Sequence, residues 1–164
     1  MKKYLLLFVF ICLLGCSSTS KQSKEAEIIQ CPRVFFSLEN NVYSAGKNDD
    51  IDLEEVSYKA SLNNHGFATN CFSSINYKNY NLDLLIVVEP ISPKTSDIKL
   101  PIFVLLYDKS NKLIDKQFFK IVGNLIYSNE TLDYETTDII GNLNILLDLD
   151  KELDSITIGF VKIN

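Results

Sequence analysis

Four cysteines, one histidine and two acidic runs are the residues of this 164-residue chain whose types could do chemistry. A thiol can act as nucleophile, redox group or soft metal ligand, and an imidazole as base or ligand, but each role needs partners at a set spacing. His65 stands alone in Asn63-Asn64-His65-Gly66, a stretch that reads as an exposed turn. No Gly-x-Ser-x-Gly elbow, glycine-rich phosphate loop or His-Glu-x-x-His motif occurs. A serine triad built on His65 therefore has no spacing to recommend it. Within the run Asp49, Asp50, Asp52, Glu54 and Glu55, the spacing Asp50-x-Asp52-x-Glu54 fits the start of an EF-hand loop. Glu55, however, stands where that loop needs glycine, and Ser61 where it needs a bidentate glutamate. The run reads as a solvated loop, and Asp148, Asp150 and Glu152 as a charged turn. Two carboxylates could serve glycoside chemistry. Tryptophan is absent, which leaves Tyr43, Tyr77, Tyr80 and Tyr107 as the candidates for stacking a sugar. These residues assign no catalytic group, no metal site and no cofactor, and the chain reads as a non-enzyme.

The cysteines are more informative about address. Lys2 and Lys3 precede the almost wholly apolar stretch Tyr4 to Leu14. At about eleven residues this stretch is too short for a bilayer core that takes about 20, and it has the form of a signal peptide. Leu13-Leu14-Gly15-Cys16 resembles the lipobox of bacterial lipoproteins, with an aliphatic residue three positions before the cysteine and a small one directly before it. The resemblance implies diacylglycerol on Cys16 through a thioether, cleavage before Cys16, and acylation (palmitate is the usual chain) of the new amino terminus. Two or three chains, at about 0.8 kcal/mol per buried methylene, suffice for stable anchoring. By resemblance to enterobacterial sorting, Ser17 in place of aspartate favours the outer membrane, facing the periplasm.

With Cys12 in the leader and Cys16 acylated, Cys31 and Cys71 remain as one pair in an oxidising compartment, which reads as a structural disulfide. A redox pair would show a CxxC spacing, and zinc would need further Cys or His ligands. The formal charge is −5 and becomes more negative when Lys2 and Lys3 leave. With Arg33 the only arginine and no basic stripe that could track phosphates or anionic headgroups, nucleic acid is not expected as a partner. The organisation expected is a signal peptide over 1–15, a lipidated flexible tether over 16–30 and one domain over 31–164. The polar composition of the tether gives a reach of roughly 20 Å.

From Cys31 onward apolar residues alternate with period two, as in Tyr80, Leu82, Leu84, Ile86 and Val88, or Leu143, Ile145, Leu147 and Leu149. Pro101 to Tyr107 is apolar on both faces, as a central strand covered on both sides would be. Asp108 to Lys112 has the chemistry of a hairpin turn. Phe35-Phe36 and Phe118-Phe119 should each place one ring in the core and one outside. Strands are expected at 34–38, 56–62, 71–77, 80–89, 101–107, 113–122, 143–149 and 156–160, with short turns over 48–55 and 149–153. Such strands at short intervals predict an all-β fold, an antiparallel immunoglobulin-like β-sandwich of about seven to eight strands.

The spaced segments Cys31-Pro32-Arg33-Val34, Val56-Ser57-Tyr58-Lys59-Ala60, Asn70-Cys71, Leu100-Pro101-Ile102-Phe103-Val104, Tyr107-Asp108 and Lys116-Gln117-Phe118 resemble an uncharacterised family of small alphaproteobacterial lipoproteins. Domains of that family begin Cys-Pro-Arg-Val and carry a second cysteine behind a strand. The resemblance, which spans most of the chain from Cys31 to Phe160, implies an Ig-like fold, the Cys31–Cys71 bridge and no assigned activity. The expected function is that of a membrane-anchored, non-catalytic envelope domain that binds a protein partner or serves as a scaffold. Carriage of a lipid or other apolar ligand and envelope hydrolysis are the alternatives.

Overall fold

The computed structural model describes residues 26–46 and 56–162, which contain no helix. Eleven strands form: β1 (Glu27–Ile28), β2 (Arg33–Phe36), β3 (Val42–Ala45), β4 (Tyr58–Ser73), β5 (Tyr77–Pro90), β6 (Asp97–Tyr107), β7 (Leu113–Asn124), β8 (Ile126–Ser128), β9 (Asp133–Glu135), β10 (Thr137–Asp148) and β11 (Ser155–Phe160). The first sheet runs β1-β4-β5-β10, with β3 sharing the outer side of β4 with β1. The second runs β2-β11-β6-β7, and β8 and β9 form a separate hairpin. Every pairing is antiparallel except β2 beside β11, which is parallel.

The period-two pattern explains the sandwich. Leu82, Leu84, Ile86 and Val88 of β5 point inward, as do Ile98, Leu100, Ile102, Val104 and Leu106 of β6, and they meet Leu143 and Ile145 of β10 and Ile156, Ile158 and Phe160 of β11. The chain crosses between sheets from β5 to β6 and again from β10 to β11. Because β10 lies beside β5 and β11 beside β6, the two crossings interlock. Tyr58 of the first sheet adds a polar link to the second: its hydroxyl donates to the Lys99 carbonyl at 3.0 Å and accepts from the Lys99 N–H at 2.9 Å. The register of β11 on β6 reaches only Ile102, so at Lys99 this hydroxyl stands in for the missing neighbouring strand.

The strand count is larger than the pattern predicts, and the differences have physical causes. The segments expected as two strands, 56–62 and 71–77, belong instead to the 16-residue β4, which stops at Ser73 and turns before Tyr77. Asn63 to Gly66, read as a turn carrying His65, is a bulge within β4, where the register jumps from Leu62↔Ile86 to Phe67↔Leu84. The jump of three residues reverses which side chains face inward, so Tyr58, Ala60 and Leu62 are buried before it and Cys71 after it. Glycine is needed there because a Cβ on Gly66 would lie 2.6 Å from the Leu85 Cβ. β6 is central, as expected, but it is covered on one side only; Pro101, Phe103, Leu105 and Tyr107 remain half-buried on its outer face. β1, β3, β8 and β9 are too short to announce themselves by alternation.

The hairpin at Asp108 and the turn at Leu149 form as predicted. The disulfide also forms, Cys31 to Cys71, with Cα atoms 5.4 Å apart. It ties the segment after β1 to the interior face of β4, where the Ile29 N–H also donates to the Cys71 carbonyl at 3.1 Å. Strand pairing thus begins at Glu27, earlier than the domain start at Cys31 read from the sequence, and the last residues assigned to the tether belong to the sandwich. Cys16, the rest of the tether and the run Asp49 to Glu55 lie outside the described residues.

Candidate functional site

Alternation that buries one face of each strand leaves the other face to solvent, and the two outer faces of this sandwich differ in chemistry. On the second sheet the register lines up Phe35, Thr157, Leu105 and Lys116 in one row across β2, β11, β6 and β7. The adjoining row holds Gly159, Phe103 and Phe118, and the rows beyond it pair Pro101 with Lys120 and Lys99 with Val122. The two expected aromatic pairs divide as predicted, with Phe36 and Phe119 packed on the core while Phe35 and Phe118 are exposed. Phe118 is 62% and Val122 64% exposed. Phe118, with Phe103 beside it and Leu105 and Phe35 in the next row, makes a patch, while Val122 lies beyond Lys120 on the same face.

Cations are set into this apolar face. The Lys116 ammonium lies 5.9 Å from the Phe103 ring centre and 4.9 Å from that of Phe118. The Arg33 guanidinium sits 5.7 Å over Phe35 and pairs with Asp154. Contacts of this kind hold the charge over the rings and keep the face ordered without apolar cover. Gly159 makes room for it, since a Cβ there would lie 2.6 Å from the Phe103 ring. Arg33, Lys99, Lys116 and Lys120 therefore share one surface that no linear run of the sequence displays, with Arg33 already paired to Asp154. The outer face of the first sheet carries instead Asp83, Glu89, Asp138 and Asp148 with Lys59.

The other residues singled out from the sequence are scattered or spent. Tyr43 packs on Phe160 with ring centres 5.7 Å apart, Tyr80 is buried, and Tyr107 lies on the opposite sheet from Tyr77, so the four tyrosines build no common stacking platform. Burial pushes the hydroxyls of Tyr43, Tyr58 and Tyr80 above the usual phenol range. The turn after β10 borders an open depression of about 430 Å³ lined by Asp108, Lys109, Ser110, Asp150, Lys151 and Glu152. There Lys109 meets Glu152, and Lys151 meets Asp148, each at 3.1 Å. Hydrogen bonding to Asp148 raises the Lys151 ammonium above its ordinary value, the behaviour of an ion-paired lysine. Among the described residues no three His, Cys, Asp or Glu side chains gather to hold a metal ion.

The sequence did carry a signal for the exposed face, the alternation Lys116-x-Phe118-x-Lys120-x-Val122. Its partners Phe35, Phe103 and Lys99 come from other strands and are brought alongside only by the register. In comparison with known proteins, no family model, curated protein or solved structure matches the chain.

Proposed function

We propose that the protein is a membrane-tethered, non-catalytic contact domain of the bacterial envelope, anchored by acyl chains on Cys16, facing the periplasm from the outer membrane, and binding an envelope protein through the outer face of its second sheet. The observation that carries this reading is the exposed aromatic face around Phe118, Phe103 and Phe35, with Lys116 and Arg33 stacked on its rings. Aromatic residues and arginine are the groups that dominate binding energy at protein interfaces. A partner complementary to Arg33, Lys99, Lys116 and Lys120 is acidic around an apolar centre. Carriage of an apolar ligand inside the sandwich has less support, because the space between the sheets is filled by Leu82, Leu84, Ile86, Ile102 and Phe160.

A photo-crosslinking side chain placed at Phe118 in cells, with the same group at Asn81 on the opposite outer face as control, tests the reading. The expected result is a discrete protein adduct from position 118 and none from position 81. An absent adduct, equal labelling from both positions, or labelling of lipid alone would reject the second sheet as a protein-binding face.

A further inference from the structure

β10 is the last strand of the first sheet, and among the described residues no strand covers its outer edge. It is 12 residues long, pairs with β5 from Thr137 to Asp148 without a bulge, and contains neither proline nor any charge between Asp138 and Asp148. Natural edge strands of this length are ordinarily shielded by lysine, proline, a bulge or a covering segment. β7, the corresponding edge of the second sheet, has such guards in Asp115, Lys116 and Lys120. The outward-facing residues of this edge also read as a palindrome in their chemistry. Read outward from Leu143, asparagine stands on both sides (Asn142, Asn144), then an aliphatic residue (Ile140, Leu146), then aspartate (Asp138, Asp148), while the inward-facing Gly141 and Ile145 do not match.

We propose that β10 is a self-recognition edge, and that two copies of the chain pair β10 to β10 in antiparallel fashion about a two-fold axis at Leu143, joining their first sheets into one. A two-fold interface must be self-complementary, and this strand is. On the outer face the register sets Ile140 against Leu146 of the second copy and Asn142 against Asn144. At the ends, Asp138 meets Asp148, a like-charge pair that Lys151, 3.1 Å from Asp148, offsets only in part. The backbone supports the same register. The Leu146 carbonyl accepts from the Gln117 side chain of β7 at 2.9 Å, so it points off the edge, and with it the backbone groups of the other even-numbered residues; pairing at Leu146 shares that acceptor with Gln117 or displaces it. An axis at Leu143 pairs even with even, 140 with 146 and 142 with 144, which is the combination that forms ladder hydrogen bonds. The side chain of Asn142 donates to Asp83 on its own sheet, leaving its main-chain groups available.

Eleven residues at about 3.4 Å each give a contact ridge of about 37 Å. At roughly 10 Å wide it buries under the ~1,200 Å² total of a stable complex, so the pair is a weak one. The pairing does not rest on the reading of Cys16 or of the second sheet. Confinement to a membrane, where it exists, strengthens it by raising local concentration.

The test uses the unacylated Cys16→Ser chain with its disulfide formed, so that no lipid drives association. Sedimentation velocity from about 5 to 500 µM should show a concentration-dependent dimer. Hydrogen exchange at the upper concentration should slow at least about tenfold at the amides of 140, 142, 144 and 146, relative to the lower. Asn144→Glu, at an exposed position, should weaken the dimer at least about tenfold without lowering the melting temperature, and adding Asn142→Lys, whose ammonium is compatible with Asp83 on its own sheet, should restore it, because those two positions face each other only in the proposed register. A monomer throughout the range, protection along β7 in place of β10, a dimer untouched by Asn144→Glu, or failure of the second substitution to rescue would overturn the proposal.

Discussion

A single buried hydroxyl joins the two sheets through the interior. Tyr58 is buried and satisfies both the N–H and the carbonyl of Lys99 where β11 gives out. Tyr58→Phe removes both partners at once and keeps the ring. A buried donor and acceptor left unpaired cost about 1–3 kcal/mol, so chemical denaturation should show a loss in that range with an unchanged slope. Gly66 is a second position where one atom matters. Gly66→Ala drives a Cβ into Leu85 within the bulge, and a loss of about 1–3 kcal/mol in the same assay is expected, the usual cost of overpacking. Both residues sit in β4, and the face is touched only by Tyr58, through main-chain groups of Lys99, so crosslinking from Phe118 should survive either change.

Among the elements, the β6–β7 hairpin carries its own pH dependence. One Asp108 oxygen accepts from the Ser110 N–H at 2.9 Å, the Ser110 hydroxyl at 2.6 Å and the Lys112 N–H at 2.9 Å, while Asn111 takes the left-handed conformation at φ 60°. These bonds, that of the Ser110 side chain foremost, hold the carboxyl below the ordinary aspartate value. A carboxyl whose folded value is depressed supports the fold above its unfolded value and ceases to do so as pH falls through the folded one. The Ser110 and Lys112 amide signals should therefore titrate together with a midpoint below the ordinary value near 3.9. Asp108→Asn should abolish that titration, and a midpoint at or above the ordinary value would show that the turn does not hold the anion. The turn was legible from Asp108-Lys109-Ser110-Asn111-Lys112 because its chemistry is local. The β4 bulge was not, because Asn63-Asn64-His65-Gly66 has the same local chemistry as a turn and only pairing with β5 keeps the chain extended through it.

On the scale of the whole molecule, the disulfide closes 40 residues of chain between the segment after β1 and β4. The chain-entropy model gives about 4 kcal/mol for such a loop as an upper figure. Cys31→Ser and Cys71→Ser should each lower thermal stability, by similar amounts, without changing how the protein partitions with membranes. Cys16→Ser should do the reverse, releasing a soluble protein of unchanged melting temperature. Membrane fractionation and thermal melts of the three variants check both statements, and a Cys16→Ser chain that stayed on the membrane would reject the lipid anchor.

Sequence alone determined what depends on neighbours in the chain or on simple periodicity: strands in place of helices, the division of Phe35-Phe36 and of Phe118-Phe119 into one inward and one outward ring, the Asp108 turn, and the pairing of Cys31 with Cys71. These follow because side chains alternate strictly along a strand and because turn residues bond to their own backbone. Tertiary structure decided what depends on register between distant strands. It lengthened β4 through a segment that looks like a turn, and it brought Arg33, Phe35, Lys99, Phe103, Lys116 and Phe118 onto one face from four strands. It also left one edge of β10, uncharged from Ile139 to Leu147, without a neighbouring strand among the described residues. Register is fixed by the sum of many small contacts across the sheet, and no short window of sequence contains that sum.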